Sequence, residues 1–347
     1  MVDWKKGVSM IIHVVQSGET TNEIAKKYGI SEERLILDNE IQNPDNLAVG
    51  ETLVILIPQV THIVQEGDTL YGIANLYGIT VLQLLRNNPY LSGREFIYPG
   101  EIIVISYENE KIGKLFTYGY AYPYINTDVL KKTLPFLTYI TVYSYSFTDE
   151  GKINDIDDKK IIELAKDYHV APIMMLNADD INQNSEINAM QKLLMSQESQ
   201  DQLIYNVLNI LKLKGYYGVN INVPYIFPQN RGNYVDFISK LSSALKNEGY
   251  TIVFNTLSLS SFEIMTGIAY EGFEYSRLIQ YIDGLFLMTY EWGNYIGIPT
   301  GIISFENIRK YVRDMAERFP AERMYIGIPI LGYMWELPFI LGVSKGI

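Results

Sequence analysis

Acid–base chemistry in this chain depends on its carboxylates, because the other common catalytic side chains are scarce. The 347 residues contain no Cys and three His, at positions 13, 62 and 169. Without Cys there is no disulfide, no thiolate metal site and no Cys nucleophile. Three scattered His do not make a histidine-based zinc site by themselves. We therefore predict no metal and no cofactor.

One apolar stretch, Lys214–Pro228, carries polar side chains at alternate positions and reads KGYYGVNINVPYIFP. Residues two apart in a strand share a face, so Asn220, Asn222 and Pro224 would lie together. Amides form hydrogen bonds, but neither an amide nor a proline serves as a general acid or base. No Asp or Glu occurs in residues 202–235, so no neighbouring carboxylate can take their place.

The composition describes an acidic chain that can bury a large core. Hydrophobic residues make up 48% and charged residues 20%, and 28 Lys plus Arg stand against 40 Asp plus Glu, a net charge of −12. This balance argues against nucleic acid or an anionic membrane surface as the main partner. No apolar run approaches the roughly 20 residues that span a bilayer, so we expect no membrane insertion. The first residues, MVDWKKGVSMIIHVVQ, lack a small-residue cleavage site, so we predict no signal peptide and synthesis in the cytoplasm.

The N-terminal third contains an internal repeat. HVVQSGETTNEIAKKYGIS begins at His13, and HIVQEGDTLYGIANLYGIT begins at His62, 49 positions later. Each copy starts with a short alternating strand and a turn, and Thr20 and Thr69 are placed to cap the helix that follows. A second helix and a closing strand complete a βααβ unit. Each copy also shows an Asn-Pro step, at Asn43-Pro44 and at Asn88-Pro89.

The repeat closely resembles the LysM module, over residues 11–58 and 60–106. LysM modules bind glycans that contain N-acetylglucosamine, such as peptidoglycan and chitin. The resemblance implies a sugar groove between the turn after the first strand and the loop before the last strand. The groove residues that it implies are Gly18, Glu19, Thr20, Asn46 and Leu47 in the first module, and Gly67, Asp68, Thr69 and Ile97 in the second.

A different region, residues 113–347, follows the repeat and alternates apolar strands with helical stretches. Strand patterns lie near 115–121, 138–145, 170–177, 218–226, 250–257, 283–290 and 324–331. Helical patterns lie near 157–168, 198–213, 232–248, 274–281 and 304–317. Strands separated by helices predict parallel βα units, and a run this long predicts a TIM-type barrel. Because seven strands are found where a closed barrel has eight, we expect an α/β fold with an incomplete barrel, truncated at its C-terminus.

Four stretches of this region resemble glycoside hydrolase family 18. KGYYGVNINVPYIFP is similar to the family's fourth barrel strand, which carries the signature DxxDxDxE, and LMTYEWG, Leu287–Gly293, is similar to the sixth. YIGIPILGYMWELPF, Tyr325–Phe339, is similar to the seventh strand, and GYAYPYI, Gly119–Ile125, to the first. Together with two LysM modules and no signal peptide, the chain resembles the spore-cortex-lytic and spore-germination N-acetylglucosaminidases of endospore formers.

The resemblance implies hydrolysis by substrate assistance, in which the acetamide oxygen of the substrate attacks the anomeric carbon. In the family, the last Glu of the signature protonates the leaving oxygen, and the Asp two residues earlier orients the acetamide. The four signature positions fall here on Tyr217, Asn220, Asn222 and Pro224, so the catalytic motif is degenerate. Glu291 matches a family position at the acetamide end of the site. The aromatic residues implied to line the sugar site are Tyr290, Trp292 and Trp335.

Three hypotheses remain open at this point. In the first, the protein binds glycans of a spore or cell envelope through its LysM modules, and the barrel is inactive. In the second, it is an active N-acetylglucosaminidase of the spore cortex with a relocated acid. In the third, it is the product of a decaying gene with a poorly folded barrel. We favour the first because Pro224 has no ionisable group. Family resemblance alone suggests the spore coat or cortex as its location, and the sequence does not define an oligomeric state.

Overall fold

A computed structural model describes residues 10–94, 96–107, 113–178, 189–222, 228–255, 275–289, 304–330, 333–334 and 345–346. The chain divides into two compact units. The first comprises Met1–Thr117 together with Ile125–Leu137, and the second comprises Tyr118–Tyr124 together with Thr138–Ile347. Each unit is described separately below.

The first repeat copy folds as a βααβ unit, here called module 1. Its elements are β1 Met10–Val14, α1 Thr21–Tyr28, α2 Glu32–Asn39 and β2 Thr52–Leu56. The two strands pair antiparallel, with Ile12 opposite Val54. Both helices pack on this hairpin through one buried cluster, whose members are Val15, Ile24, Ala25, Leu35, Leu53 and Ile55.

The second copy, module 2, repeats the arrangement. Its elements are β3 Pro58–Ile63, α3 Leu70–Leu76, α4 Val81–Asn87 and β4 Ile102–Tyr107, and the strands again pair antiparallel. The amide of Asn39 accepts from the Val54 N–H (2.7 Å) and donates to its carbonyl (2.9 Å). Asn88 makes the same two bonds with Val104, at 2.9 and 2.7 Å. Asn88 therefore corresponds to Asn39 rather than to Asn43, and the two Asn-Pro steps are not equivalent.

The second unit is built on one seven-stranded parallel sheet, here called the barrel sheet. Its strands are β5 Tyr118–Ala121, β6 Tyr139–Phe147, β7 Ala171–Ala178, β8 Gly218–Asn222, β9 Thr251–Asn255, β10 Gly284–Leu287 and β11 Met324–Ile326. Each strand pairs with its predecessor in sequence order. The helices between them in the chain are α5 Thr127–Thr133, α6 Lys159–Asp167, α7 Ala189–Leu193, α8 Gln197–Lys214, α9 Arg231–Asn247, α10 Tyr275–Leu278 and α11 Phe305–Ala316. This βα succession confirms the predicted TIM-type architecture.

The barrel sheet curls, so that side chains of its first and last strands meet. The ring of Tyr118 on β5 contacts that of Tyr325 on β11, with centroids 4.7 Å apart. Tyr118 and Tyr120 also contact Phe286 on β10, at 6.3 and 5.2 Å. A flat sheet would hold these strands far apart, because neighbouring strands are about 4.8 Å from each other. Aromatic side chains thus fill the inside of the curl.

The sequence missed some details of this unit. Strand β11 ends at Ile326, several residues before its predicted end, and Pro329, which lacks an N–H for strand pairing, follows shortly after. The five-residue helix α7 of this unit was not predicted, and neither was α5, which belongs to the first unit. A two-stranded pairing of Tyr333–Met334 with Lys345–Gly346 was also not predicted.

Candidate functional site

The turn after β1 is held by a buried histidine. Nε2 of His13 lies 2.9 Å from Oε2 of Glu19, and Nδ1 lies 3.0 Å from the Tyr28 hydroxyl. The same Glu19 oxygen accepts the Gln16 N–H at 2.8 Å. Bonds from Gln16 and His13 keep the pKa of Glu19 below its ordinary value. Thr20 then caps α1 in a capping box, as predicted, by accepting from the backbone N–H at position 23.

Module 2 repeats this turn with Asp in place of Glu. Nε2 of His62 lies 2.8 Å from Oδ2 of Asp68, and Nδ1 lies 3.2 Å from the Tyr77 hydroxyl. Asp68 also accepts the Gln65 N–H at 2.7 Å, and the bonds from His62 and Gln65 lower the pKa of its carboxyl. Gly67, like Gly18, has a positive φ, 89° and 84° respectively, which the turn requires. Thr69 caps α3.

The loop before the last strand borders the same turn in each module. In module 1 the Gly50 N–H donates to the Val15 carbonyl at 2.9 Å, and in module 2 the Gly100 N–H donates to the Val64 carbonyl at the same distance. Val15 and Val64 directly precede the two turns. Of the predicted groove residues in these loops, Asn46 is exposed, Leu47 packs against the module core and Ile97 is half-buried. The predicted groove residues of each module therefore lie on two segments attached to one strand end.

One buried arginine joins the two modules. Arg34 on α2 makes a two-pronged ion pair with Asp38, with N–O distances of 2.8 and 2.7 Å. Its guanidinium also donates to Oδ1 of Asn88 (3.1 Å), to the Asn87 carbonyl (2.9 Å) and to the Tyr107 hydroxyl (2.6 Å) in module 2. Burial raises the pKa of Tyr107 to about 12. No local pattern in the sequence indicates this contact.

In the barrel sheet, the two motif asparagines hydrogen-bond to neutral side chains. Asn220 on β8 is fully buried, and its Nδ2 donates to the Tyr120 hydroxyl at 3.0 Å. That hydroxyl donates to Oδ1 of Asn255 on β9 at 3.3 Å. Nδ2 of Asn222 donates to Oδ1 of Asn177 on β7 at 2.9 Å. Oδ1 of Asn220 has no hydrogen-bond partner in the described part of the chain. These groups can bind polar ligand atoms, but they do not ionise at neutral pH.

The other predicted barrel residues are only partly covered by the structure. Tyr217 lies just before β8, where its half-exposed ring packs against Tyr139 with centroids 6.0 Å apart. It therefore belongs to the aromatic filling near Tyr118, and not to the amide network. The remaining predicted residues lie outside the described ranges: Pro224, Tyr290, Glu291, Trp292 and Trp335.

An aromatic group at the carboxyl end of the first two barrel strands was not singled out in the sequence. The exposed rings of Tyr122 and Tyr124 stack at 5.2 Å and 17°, and Tyr143 on β6 lies 4.9 Å from Tyr122. The alternating tyrosines at the end of the first strand and just after it, YAYPY, are the signal that would have indicated them. In TIM barrels this end of the sheet carries the site.

A charged cluster in the same unit involves Asp158, which is 2% exposed. Its carboxylate accepts hydrogen bonds from Tyr145 and Tyr216 and pairs with Nζ of Lys214 at 3.0 Å. Lys214 also pairs with Asp155 at 2.5 Å. Burial acts against the charged ammonium, but these bonds raise the pKa of Lys214 above its ordinary value.

The residues that the structure describes contain no group of three or more His, Asp or Glu side chains placed to hold a metal ion. None of their helices has the length and apolar character needed to cross a membrane.

The fold and the site define a TIM-barrel protein with two small modules at its N-terminus. The sequence model of Glycosyl hydrolases family 18 matches residues 117–338, and the LysM domain model matches residues 13–56 and 62–106. The chain therefore belongs to glycosyl hydrolase family 18 and carries two LysM domains. Both family resemblances seen in the sequence are confirmed.

The relatives of this chain include spore proteins. It is 28% identical over 340 residues to the Cortical fragment-lytic enzyme of Bacillus subtilis (strain 168), covering 96% of this chain and 78% of that protein. It is 24% identical over 332 residues to the Putative sporulation-specific glycosylase YdhD of the same organism, covering 95% and 77%. The crystal structure of the Bacillus cereus spore cortex-lytic enzyme SleL has the same fold, with a TM-score of 0.75 and 22% identity over 98% of this chain and 80% of that one.

Proposed function

We propose that this protein binds N-acetylglucosamine-containing glycans of the spore or cell envelope and does not cleave them. The tandem LysM domains attach it to peptidoglycan or chitin-type chains. The family 18 barrel holds sugar without turnover. The observation that carries the proposal is the absence of carboxylates at the signature positions, where Asn220, Asn222 and Pro224 stand instead.

The neutral environment of the motif supports the loss of hydrolysis. Asn222 shares a hydrogen bond with Asn177, and an amide can hold an acetamide group but carries no charge to stabilise an oxazolinium ion. Pro224 has no proton to give to the leaving oxygen. Losing a general acid costs a factor of roughly 10²–10⁴ in rate, and groups that act as a unit fail together. With both carboxylates missing, we expect negligible turnover.

Retained sugar binding by the barrel is supported by one feature within its sheet and one at the carboxyl end of its first strand. Oδ1 of Asn220 is a buried acceptor without a partner in the described residues, so a ligand N–H would satisfy it. The rings of Tyr122 and Tyr124 are exposed on the loop after the first strand, whose Tyr120 accepts a hydrogen bond from Asn220. Flat aromatic surfaces suit the apolar face of a pyranose ring.

The envelope location rests on the relatives. The Cortical fragment-lytic enzyme of Bacillus subtilis is matched over 96% of this chain, LysM region included. We infer that this chain goes to the same kind of glycan, the cortex peptidoglycan of a spore or a related wall polymer.

The test is a co-sedimentation and hydrolysis experiment with the purified full chain. We expect the protein to sediment with insoluble peptidoglycan or chitin and to release no reducing sugar from either. The alternative function, an active N-acetylglucosaminidase, would rely on Glu291, the carboxylate at the acetamide end of the matched sixth-strand stretch. Release of reducing sugar that disappears in the Glu291→Gln variant would refute the proposed lack of activity. Failure to sediment would refute glycan attachment.

A further inference from the structure

The two LysM modules have the same scaffold but different side chains at the edge of the groove. Thr20 caps α1 by accepting from the N–H three residues later, and Thr69 caps α3 in the same way. The second residue of each helix therefore occupies the same place. It is Asn22 in module 1 and Tyr71 in module 2.

Equivalent hydrogen bonds show which residues correspond in the loops before the last strands of the two modules. In module 1 the Ala48 N–H donates to Oε2 of Glu51 (3.1 Å), and the Glu51 N–H donates to the Ala48 carbonyl (3.0 Å). In module 2 Tyr98 and Glu101 make the same pair of bonds at 3.2 and 3.1 Å. Tyr98 thus takes the place of Ala48. Two residues earlier in each loop, Phe96 takes the place of Asn46.

All three substituted positions in module 2 carry a large ring that is open to solvent. Tyr71 is 74%, Phe96 67% and Tyr98 58% exposed. Large rings exposed on the two segments that flank one strand end indicate a binding surface. Module 1 has polar or small groups at these places, and one of them, Asn22, is held by a bond from its Nδ2 to Oε2 of Glu32 at 3.0 Å.

The rings belong to the two segments that border one groove. Tyr71 follows the turn in which Asp68 accepts the Gln65 N–H. The loop of Tyr98 is held beside this turn by the hydrogen bond from the Gly100 N–H to the Val64 carbonyl. Tyr98 is further steadied by the Arg94 guanidinium, 5.8 Å from its ring centroid. Aromatic surface therefore stands on both sides of the strand end in module 2 and on neither side in module 1.

We propose that module 2 provides most of the affinity for N-acetylglucosamine chains, with Tyr71, Phe96 and Tyr98 stacking against pyranose rings. Module 1 binds the same kind of chain more weakly, through polar groups. This inference rests on the proposed function of the LysM domains and adds that the two domains differ in their affinity for the glycan. Covering about 60 Å² of one ring face corresponds to roughly a tenfold change in Kd.

The test is an exchange of the three residues between modules in the full chain, measured by titration calorimetry with the N-acetylglucosamine tetramer. The first variant places module 1 residues in module 2: Tyr71→Asn, Phe96→Asn and Tyr98→Ala. The second places module 2 residues in module 1: Asn22→Tyr, Asn46→Phe and Ala48→Tyr. All six positions are exposed, so neither variant disturbs a core, and circular dichroism checks this.

We expect the first variant to bind at least about tenfold more weakly than the native chain, and the second to bind more tightly. A control with Leu76→Asn, which removes an equally exposed apolar side chain of module 2 that lies outside the two groove segments, should change Kd by less than about threefold. The claim that module 2 provides most of the affinity is wrong if the native chain binds and the first variant binds equally well. It is also wrong if the control loses as much affinity as the first variant. If the native chain does not bind the tetramer or insoluble chitin, the proposed LysM function fails, and this inference fails with it.

Discussion

Replacing Arg34 by Ala should loosen the connection between the two LysM modules. The guanidinium of Arg34 is the group that reaches from α2 of module 1 to Asn87, Asn88 and Tyr107 of module 2. It also neutralises Asp38, whose side chain is 3% exposed. The substitution therefore removes the bonds between the modules and leaves a buried carboxylate without its partner.

The expected cost comes mainly from that carboxylate. Breaking a buried ion pair by removing one partner costs about 3–5 kcal/mol. The other partners lose little: Oδ1 of Asn88 keeps its bond from the Val104 N–H at 2.9 Å, and the Tyr107 hydroxyl still donates to the Asn87 carbonyl at 3.3 Å. We therefore expect the opening free energy of α2 and β4 to fall by about 3–5 kcal/mol.

Hydrogen–deuterium exchange on the full chain measures this opening free energy for peptides from α2 and β4. The matched control is Lys132→Ala in the same unit, which breaks the exposed Lys132–Glu40 pair of 2.7 Å and should cost less than about 1 kcal/mol. Arg34→Met combined with Asp38→Leu should cost much less than Arg34→Ala, because no charge is left buried. If Arg34→Ala costs no more than the control, or the double variant costs as much as the single one, the reasoning is refuted.

Three further predictions concern other parts of the chain. Lys214→Met leaves the carboxylate of Asp158 buried without its ammonium partner and should cost about 3–5 kcal/mol in urea unfolding of the barrel unit, whereas an unchanged midpoint would contradict this. The folded pKa values of Glu19 and Asp68 are lowered, so their stabilising contribution is present above their unfolded values near 4 and is lost as the pH falls through the folded pKa. Amide protection of both LysM modules, corrected for intrinsic exchange, should therefore drop between pH 5 and pH 3, and this drop should shrink when both carboxylates are changed to amides. Tyr122→Ala should weaken binding of N-acetylglucosamine oligomers to the barrel about tenfold in an NMR titration; equal shifts in both proteins would show that this ring does not contact sugar.

Local sequence signals were enough to predict the elements of this fold. Thr20 caps its helix because its side-chain oxygen accepts the otherwise unpaired backbone N–H three residues later. This interaction involves only residues close together in the chain, so the local sequence is enough to predict it. The βα alternation predicted the seven parallel strands for the same reason, since each strand and helix has its own apolar pattern. The family motif then identified β8 and its two asparagines.

Contacts between distant residues were not predictable in this way. Arg34 and Asn88 are 54 positions apart and Lys214 and Asp158 are 56 apart, and nothing in either local pattern indicates the partner. Tyr120 on β5 forms hydrogen bonds with Asn220 on β8 and Asn255 on β9, although β5 is not next to either strand in the sheet. These bonds therefore depend on how the sheet curls. The sequence motif indicates the two asparagines of β8, but their partners on other strands are known only from the curled barrel sheet.

The most direct test of the account follows one defined glycan through binding and possible cleavage by a single preparation. The N-acetylglucosamine hexamer is incubated with the full chain and its length is read by mass spectrometry, while calorimetry on the same sample measures binding. The family resemblance assigns Pro224 and Asn222 to the acid and orienting positions, and we therefore predict a bound hexamer that stays intact over days. Shorter oligomers that no longer form in the Glu291→Gln variant would contradict it.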